Sequence, residues 1–336
     1  MSTNLPKKTL ALLGRWRQTL ATHWPRWAGG PGGNPARPPA LPAPGTPAGA
    51  GAHGAWSLAW ASHAGPHHLN QDCAGAHWLR TAAGSGLALA VADGVTHGAA
   101  GDVAAAALVA HWLAGPVPGQ HRRAFLLAAE PAVAQALRQH TPEPGAATGA
   151  ACWLDANGAG WATRVGDCQV LRAGPGAASS ASPDPASGPH WQVQALLPDQ
   201  TYAQVYPQGP GGANANANAD ADADAEQPAR MVGCANLGEP EWLGVDLAPG
   251  DVLLLASDGL HAVLSPADWS KLLQHHLGDA GPPRLAWVAG NAVAALQSLV
   301  SDLLQTALRR GSEDDITVLA ARRGPADDTS AKGSTP

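Results

Sequence analysis

The stretch LLLASDGL at residues 253–260 carries an apolar run directly into a carboxylate. Two other stretches repeat this pattern, VADG at 91–94 and EDDITVL at 313–319, where the apolar run leads into or out of an acid. A short apolar run of this kind predicts a buried strand, so each carboxylate is expected at the mouth of a packed sheet. We therefore expect three acids to converge: Asp93, Asp258 and Asp314.

These acids form an all-oxygen ligand set, which is the kind that a hard divalent cation prefers. Carboxylates, backbone carbonyls and water are the ordinary ligands of Mg²⁺ and Mn²⁺. A cation held in this way activates water for attack on a substrate. The pattern therefore indicates metal-assisted hydrolysis rather than simple binding, with one cation or with two.

Composition and charge limit the class of protein. The chain has 336 residues, of which 45% are hydrophobic and 14% charged, so it can hold one large domain or two small ones. Residues 1–54 contain basic residues and no acid, which leaves 14 basic and 26 acidic residues in the remainder. An acidic body argues against a nucleic-acid partner and is compatible with a cation site.

Cysteine content and hydrophobic runs bear on the compartment. No run of 18 apolar residues occurs, and the closest, 285–308, is interrupted by polar residues and is predicted to be a core helix. The N-terminus lacks the apolar segment and cleavage site of a signal peptide, so we expect no export. Four cysteines without paired metal spacing predict buried, reduced thiols in a cytoplasmic protein. They are Cys73, Cys152, Cys168 and Cys234.

Residues 1–54 are predicted to be a disordered arm followed by a linker. In one interpretation the stretch 7–27 forms a short basic helix with Leu and Trp on one side, suited to a membrane surface or a docking partner. A disordered arm accounts for the same composition, and we favour it. Residues 31–50 contain seven prolines with Gly and Ala, which is typical of a linker.

The folded part is predicted to span residues 55–323, with strands mostly in hairpins and helices grouped between them. This arrangement favours the α+β class, with antiparallel sheets covered by helices. Strands are predicted from Trp56, on either side of an Asn157-Gly158 turn and of a Pro249-Gly250 turn, in WQVQALLP and in ITVLAARR. Helices are predicted at 102–113, with Asp102 as N-cap, and at 121–140, 266–277 and 283–310.

Two further segments are predicted to lie outside the core. Residues 211–226, GGANANANADADADAE, are a low-complexity insertion whose small polar side chains cannot bury enough area to become ordered. The alternating Asp residues lack the turn Gly and closing Glu of a calcium loop, so we do not expect a calcium site there. Residues 324–336 are predicted to be a flexible tail.

Five motifs follow one another in the chain with the expected strand or turn context. They are GPHHLNQDC (65–73), ALAVADGVTHGAAGDVAA (88–105), ATGAACWL with RVGDCQVLRAG (147–173), APGDVLLLASDGLHAVL (248–264) and EDDITVLAARR (313–323). In this order they resemble the PP2C-type metal-dependent Ser/Thr protein phosphatases, particularly the compact bacterial members. A single match such as SDG recurs by chance, whereas five in order are specific. The resemblance covers residues 56–323.

The resemblance implies a fold and a metal site. The fold is a four-layer α-β-β-α sandwich with two central antiparallel β-sheets flanked by helices. The site holds two Mn²⁺ or Mg²⁺ ions, with a third, weaker site, and a metal-activated water attacks the phosphorus of phosphoserine or phosphothreonine. Asp93 would bridge the two metals with the Gly94 carbonyl as a further ligand, while Asp258 and Asp314 would complete the shell of the first metal.

Other residues of the motifs are implied to support this centre. Asp167 matches the family's Asp near the third metal, although a turn Asp that closes a hairpin is an alternative interpretation of the same residue. Gln71 and Asp72 would lie behind the metal ligands, where Asp72 orients metal-bound waters. His67 would contact the substrate phosphate.

The chain departs from the family pattern at several of these positions. His67 stands where the family has a phosphate-holding Arg, and an imidazolium donates one hydrogen bond rather than two parallel ones. Gln71 replaces a frequent Glu, and Val95 takes a position that is His in some relatives, where the His is proposed to protonate the leaving alkoxide. Asp315 replaces the usual Asn, and Cys168 replaces a Ser. Because the metal-binding Asp set is intact, we expect an active enzyme.

Three functional hypotheses follow. The leading one is a protein-serine/threonine phosphatase, a cytoplasmic monomer that acts on phosphorylated proteins and opposes a Ser/Thr kinase. The alternative is a catalytically weak or inactive phosphopeptide-binding or scaffold module on the same fold. The departures from the family pattern at His67 and Gln71 favour this alternative. A third is a secretion-system or membrane-associated regulatory subunit attached through residues 7–27.

Overall fold

The computed structural model describes residues 48–53, 55–66, 69–81, 84–95, 99–116, 119–175, 190–206, 225–278 and 289–325. The predictions for the basic arm 7–27, for most of the insertion 211–226 and for nearly all of the tail lie outside these residues.

Two antiparallel sheets form the centre of the molecule. The strands of the described residues are β1 (Ala48–His53), β2 (Trp56–His63), β3 (Cys73–Thr81), β4 (Gly84–Gly94), β5 (Ala147–Leu154), β6 (Ala159–Val165), β7 (Gln169–Pro175), β8 (Trp191–Ala195), β9 (Glu241–Asp246), β10 (Val252–Ala256) and β11 (Ile316–Arg323). A six-stranded sheet has the order β1-β2-β11-β10-β7-β8, and a five-stranded sheet has the order β3-β4-β5-β6-β9.

Helices cover the outer face of each sheet. Their bounds are α1 (Gly101–Ala114), α2 (Arg122–Leu127), α3 (Ala129–His140), α4 (Tyr202–Val205), α5 (Asp258–His261), α6 (Pro266–Leu277) and α7 (Ala289–Arg309). One hydrophobic cluster joins α1, α2 and α3 to the five-stranded sheet, and a second joins α6 and α7 to the six-stranded sheet. A third fills the space between the sheets. The predicted four-layer α-β-β-α sandwich is confirmed.

Strand β10 shows why an unbroken apolar run leads into the candidate site. Val252, Leu254 and Ala256 belong to the cluster under the helices, whereas Leu253 and Leu255 belong to the cluster between the sheets. A strand covered on both faces reads as a continuous apolar run rather than as an alternating one. The first acid after such a strand therefore lies where the two covered faces end.

Two helix predictions need correction. The single helix predicted at 121–140 is two helices, α2 and α3, separated at Ala128. The reason is Pro131, which lacks an N–H and whose ring clashes with the carbonyl four residues earlier, so α2 ends at Leu127. Asp102 is not an N-cap, because α1 starts at Gly101 with Ala100 as its N-cap, and Asp102 lies in the first turn.

One of the two predicted turns connects the sheets instead of closing a hairpin. The Pro249-Gly250 turn joins β9 to β10, but β9 pairs with β6 in one sheet and β10 pairs with β7 and β11 in the other. The sheet also extends N-terminal to residue 55, because β1 pairs along its whole length with β2. The Asn157-Gly158 turn does join a paired hairpin, β5 and β6, as predicted.

The C-terminal helix packs as predicted, whereas one of the four cysteines does not. Helix α7 packs Leu296, Leu299 and Leu303 into the core, as the core-helix prediction for 285–308 requires. Within the described ranges, no helix has the length and apolar character needed to cross a membrane. The four cysteines form no disulfide with one another, but Cys234 is exposed, so the prediction of four buried thiols is wrong there. It lies between Gly233 and Ala235, both with positive φ, in a tight surface turn.

Candidate metal centre

Three strand ends bring the predicted acids to one place between the sheets. Asp93 is the penultimate residue of β4, Asp258 begins α5 just after β10, and Asp314 lies two residues before β11. Strands β10 and β11 are antiparallel neighbours, so the end of one meets the start of the other. The carboxyl groups of Asp93 and Asp258 form a hydrogen bond with each other across the two sheets.

Burial and mutual repulsion raise the pKa values of Asp93, Asp258 and Asp167. For Asp93, burial is the largest cause, and the charges of Asp72, Asp258 and Asp167 raise the pKa further. Burial also raises the pKa of Asp258, helped by the charge of Asp314 and opposed by the hydrogen bond from Asp93. Burial and then Asp258 raise the pKa of Asp167 to about 6. The carboxylates therefore repel one another when ionised, and a bound cation would offset this repulsion.

Several carboxylate oxygens here lack a hydrogen-bond donor. Asp72 Oδ1, Asp167 Oδ1 and Asp258 Oδ1 are buried without a partner among the described residues. A buried polar atom without a partner is destabilising, and a hard cation is the ligand that clustered carboxylate oxygens fit. In the part of the chain that the structure describes, no three His, Cys, Asp or Glu side chains already stand at coordinating distances. The donor set fits Mn²⁺ or Mg²⁺, and the carboxylates would draw together when the ion binds.

The turn after Asp93 is fixed by backbone packing. A Cβ on Gly94 would lie inside contact distance of the Gly101 backbone and 2.9 Å from Gln71 Cβ, so only glycine fits there. The next residue, Val95, donates its N–H to the carbonyl of Ala146 at 3.0 Å. Together these contacts hold the end of β4 against the start of α1 and against Gln71.

Asp72 lies directly behind the cluster, as predicted. It is 6% exposed, and its Oδ2 accepts a hydrogen bond from Ser257 Oγ at 2.9 Å. Burial raises the pKa of Asp72, the charges of Asp315 and Asp258 add to the effect, and hydrogen bonds from Thr317 and Ser257 oppose it. Sequence reasoning gave Ser257 no role, because a serine before Asp-Gly has no distinguishing pattern.

Asp167 does not close a hairpin, so that alternative interpretation is wrong. The turn that carries it leads from β6 in the five-stranded sheet to β7 in the six-stranded sheet. Gly166 has a φ of +81°, which an L side chain adopts only with strain. The turn thus presents Asp167 to the space between the sheets, near Asp258.

Three side chains that the motifs did not reveal hold this turn. Arg164 Nη2 donates to the Gly166 carbonyl at 2.9 Å and to Asp199 Oδ1 at 2.6 Å. His261 Nε2 donates to the Asp167 carbonyl at 2.9 Å, so it links α5 to the turn. Arg164 and Asp199 are 35 residues apart, and no local pattern signals their pairing.

Replacing Arg164 by Met is expected to lower the free energy of unfolding by about 3–5 kcal/mol. The Arg164 side chain is fully buried, and its loss leaves the Gly166 and Leu197 carbonyls without their donor. The matched control is Arg123→Met, which removes an exposed pair with Glu239 and should leave stability unchanged within error. Urea denaturation measures both, and equal effects of the two substitutions would contradict the assignment.

The loop between β2 and β3 carries the predicted phosphate contact. His67 lies outside the described residues. The described ends of the loop contact Asp315, whose carboxylate accepts the N–H groups of Gly65 and Gln71. Gln71 is partly buried beside Gly94, which agrees with a place behind the candidate ligands.

Comparison with known proteins gives the fold a context. The family model for stage II sporulation protein E (SpoIIE) matches residues 215–324. No curated protein sequence matches the chain. The Ser/Thr phosphatase PstP/Ppp of Mycobacterium tuberculosis is 20% identical and has a TM-score of 0.54, over 80% of this chain and 99% of that chain. The fold is settled by this similarity. The chain has a PP2C-type fold, and the resemblance predicted from the motifs is confirmed.

Other PP2C-type structures match over a similar extent. The phosphatase MsPP of Mycobacterium smegmatis, in complex with cacodylate, is 22% identical with a TM-score of 0.53, over 81% of this chain and 100% of that one. PppA, a regulatory component of the T6SS in Pseudomonas aeruginosa, is 20% identical with a TM-score of 0.51, over 80% and 97%. A PstP catalytic domain in complex with two manganese ions is 21% identical with a TM-score of 0.53, over 80% and 99%.

Proposed function

We propose that the chain is a metal-dependent protein-serine/threonine phosphatase. The observation that carries the proposal is the carboxylate cluster of Asp93, Asp258 and Asp167 at the strand ends of a PP2C-type fold, in which Asp167 Oδ1 and Asp258 Oδ1 are buried without a partner among the described residues. The manganese ions in the PstP structure and the cacodylate in the MsPP structure show that relatives of this fold bind cations and a tetrahedral oxyanion.

Each side chain of the cluster has a proposed role in holding cations. Asp93 would be a ligand of both metals and the Gly94 carbonyl a further ligand. Asp258 and Asp314 would complete the shell of the first metal, and Asp167 would serve a third, weaker site. When bound, the cations lower the pKa of water and neutralise charge on the phosphoryl oxygens. Asp167 is buried, and Asp93, Asp258 and Asp314 are half-buried, so these electrostatic interactions would be stronger than at a fully exposed site.

The residues around the cluster orient the reacting groups. Asp72 Oδ2 accepts a hydrogen bond from Ser257, while its buried Oδ1 has no partner among the described residues and could accept a hydrogen bond from a metal-bound water. His67 would donate one hydrogen bond to a phosphate oxygen, and its charge is lost near neutrality. Substrate affinity is therefore expected to fall as the pH rises through the range of an ordinary imidazole.

Partners and compartment follow from this activity. Phosphorylated proteins would be the substrates, and a Ser/Thr kinase that modifies them would be the opposing enzyme. The four free thiols favour a reducing compartment, consistent with a cytoplasmic protein. We propose a monomer as the active species.

The full chain should hydrolyse p-nitrophenyl phosphate with Mn²⁺ or Mg²⁺ and lose this activity in EDTA. A phosphoserine peptide, assayed by release of inorganic phosphate, then tests the protein-phosphatase assignment. If well-folded protein binds Mn²⁺ but turns over neither compound, the proposal fails and the non-catalytic phosphopeptide-binding module is favoured instead.

A further inference from the structure

Asp315 joins the two ends of the loop between β2 and β3. The residue is 2% exposed and follows the candidate metal ligand Asp314. Its Oδ1 accepts the backbone N–H of Gly65 at 2.8 Å, and its Oδ2 accepts the backbone N–H of Gln71 at 2.6 Å. Both oxygens of one buried carboxylate thus accept hydrogen bonds from residues about 250 positions earlier in the chain.

The chemistry of these two contacts requires a carboxylate. A carboxylate accepts at both oxygens, whereas the asparagine usual at this place in the resembled family has one acceptor oxygen and one NH₂ donor. An asparagine here would turn a donor towards one of the two backbone N–H groups. Hydrogen bonds to a charged acceptor are also the stronger kind.

The charge of Asp315 is unfavourable for its surroundings. It lies beside an acidic cluster, and its charge raises the pKa of Asp72. An uncharged residue would reduce this repulsion. The carboxylate is stabilised despite the repulsion because it accepts hydrogen bonds from two backbone N–H groups. Asp315 is therefore better explained by its hydrogen bonds to the loop than by any favourable effect of its charge on the cluster.

The two ends of the loop pack directly against the residues that carry the candidate metal ligands. A Cβ on Gly65 would lie 2.6 Å from the Glu313 carbonyl oxygen and 3.0 Å from the Asp314 carbonyl carbon, so the start of the loop lies against the segment that carries Asp314. At the other end, Gln71 packs beside Gly94. Asp315 thus ties both loop ends to the strand ends that carry the candidate ligands.

We propose that Asp315 is a positioning residue that fixes both ends of the loop between β2 and β3, at Gly65 and Gln71, and through them the phosphate contact proposed for that loop. The proposal rests on the proposed phosphatase function for its consequence and on the two N–H contacts for its geometry. It distinguishes Asp315 from Asp314, whose proposed role is to bind the metal.

The test is Asp315→Asn in the full chain, with Asp251→Asn as matched control. Asp251 is another buried acid that accepts a backbone N–H, that of Ala248, but it lies at the opposite end of β10. Amide hydrogen exchange at Gly65 and Gln71 reports the hydrogen bonds directly. At least one of these amides should exchange roughly tenfold faster in Asp315→Asn and neither should change in the control.

Two functional readouts accompany the exchange experiment. The KM for p-nitrophenyl phosphate at saturating Mg²⁺ should rise roughly tenfold while kcat changes less than about threefold. The dissociation constant of inorganic phosphate with Mg²⁺ should rise by a similar factor, and this measurement does not require turnover. Unchanged exchange at both amides would overturn the proposal. A loss of kcat at unchanged KM would also overturn it, because Asp315 would then act on the metal.

The outcomes separate this proposal from the proposed function. If the wild-type chain has no turnover, the phosphatase assignment fails, while amide exchange and phosphate binding still decide whether Asp315 positions the loop. Faster exchange with unchanged phosphate affinity would show that Asp315 only stabilises the loop, which contradicts the positioning role.

Discussion

Asp93→Asn is expected to lower kcat for p-nitrophenyl phosphate at least roughly a thousandfold at saturating Mn²⁺. Asp93 faces Asp72, Asp167 and Asp258, and its proposed role is to bind both cations. The Asn side chain is neutral, so the substitution removes one carboxylate ligand and one negative charge from around the two proposed cations. The cations would then be bound more weakly. Steady-state kinetics over a Mn²⁺ titration measures the effect.

The same substitution should raise the stability of metal-depleted protein. Burial and neighbouring charges raise the pKa of Asp93, which means that its ionised form is disfavoured in the folded state. Removing a buried acid that like charges repel relieves this unfavourable term at neutral pH. In EDTA, Asp93→Asn should therefore unfold at a higher urea concentration than the wild type, although it is inactive with metal.

A suitable control is Asp155→Asn, because Asp155 lies in the β5–β6 turn at the far end of β5. This variant should keep wild-type kcat and wild-type metal dependence. Substantial activity in Asp93→Asn, or a lower stability in EDTA, would contradict the assigned place of Asp93 in a metal centre.

The second large effect is a pH-dependent stabilisation by Mn²⁺. The pKa of Asp167 is raised to about 6 and the pKa values of Asp72, Asp93 and Asp258 are raised as well. A folded state with raised carboxyl pKa values binds more protons than the unfolded state between about pH 4 and the raised values. The stability of metal-depleted protein should therefore fall as the pH rises through this window.

For Asp167 alone the fall from about pH 4 to above pH 6 amounts to roughly 3 kcal/mol. Mn²⁺ takes the place of the protons, so the increase in melting temperature on adding Mn²⁺ should grow from pH 5 to pH 7.5. The lowered pKa values of His111, His140 and His261 act in the opposite direction within this window, because below about pH 6.5 the unfolded state binds more protons at these imidazoles. The contribution of the carboxyls is therefore taken from the difference between the wild type and Asp167→Asn.

Thermal unfolding in EDTA and in Mn²⁺ at three pH values measures both trends, and Asp167→Asn serves as the internal control. That variant should show a shallower loss of stability with pH in EDTA. A Mn²⁺ effect that does not depend on pH would contradict the account, because it would place the cation away from the raised carboxyls.

Much of the fold and of the candidate site is visible in the sequence because the signals are local. Runs such as that of β10 are apolar on both faces, and each of the three runs has an acid at one end of its strand, so local patterns predict that Asp93, Asp258 and Asp314 lie near one another. The break between α2 and α3 also has a local signal in Pro131, which the helix prediction passed over.

Other features depend on contacts between distant parts of the chain. The pairing of Arg164 with Asp199 and the contacts of Asp315 with Gly65 and Gln71 have no pattern in either segment. The turns at Gly166 and Gly250 have the residues of hairpin turns, yet each leads from one sheet to the other. The sheet that a strand joins after a turn is decided by the packing of the whole strand. The turn residues alone do not determine it.

If the acids at the strand ends form a metal centre, the chain binds a defined number of Mn²⁺ ions, and this number can be counted. Titration of the full chain with Mn²⁺, followed by the electron paramagnetic resonance signal of the free ion, gives the number and affinity of sites. We expect about two tight equivalents per chain for the wild type, as in a two-metal hydrolase, and the loss of at least one in Asp93→Asn. Wild-type protein that binds no Mn²⁺ at millimolar concentration, or Asp93→Asn with undiminished binding, would contradict the account.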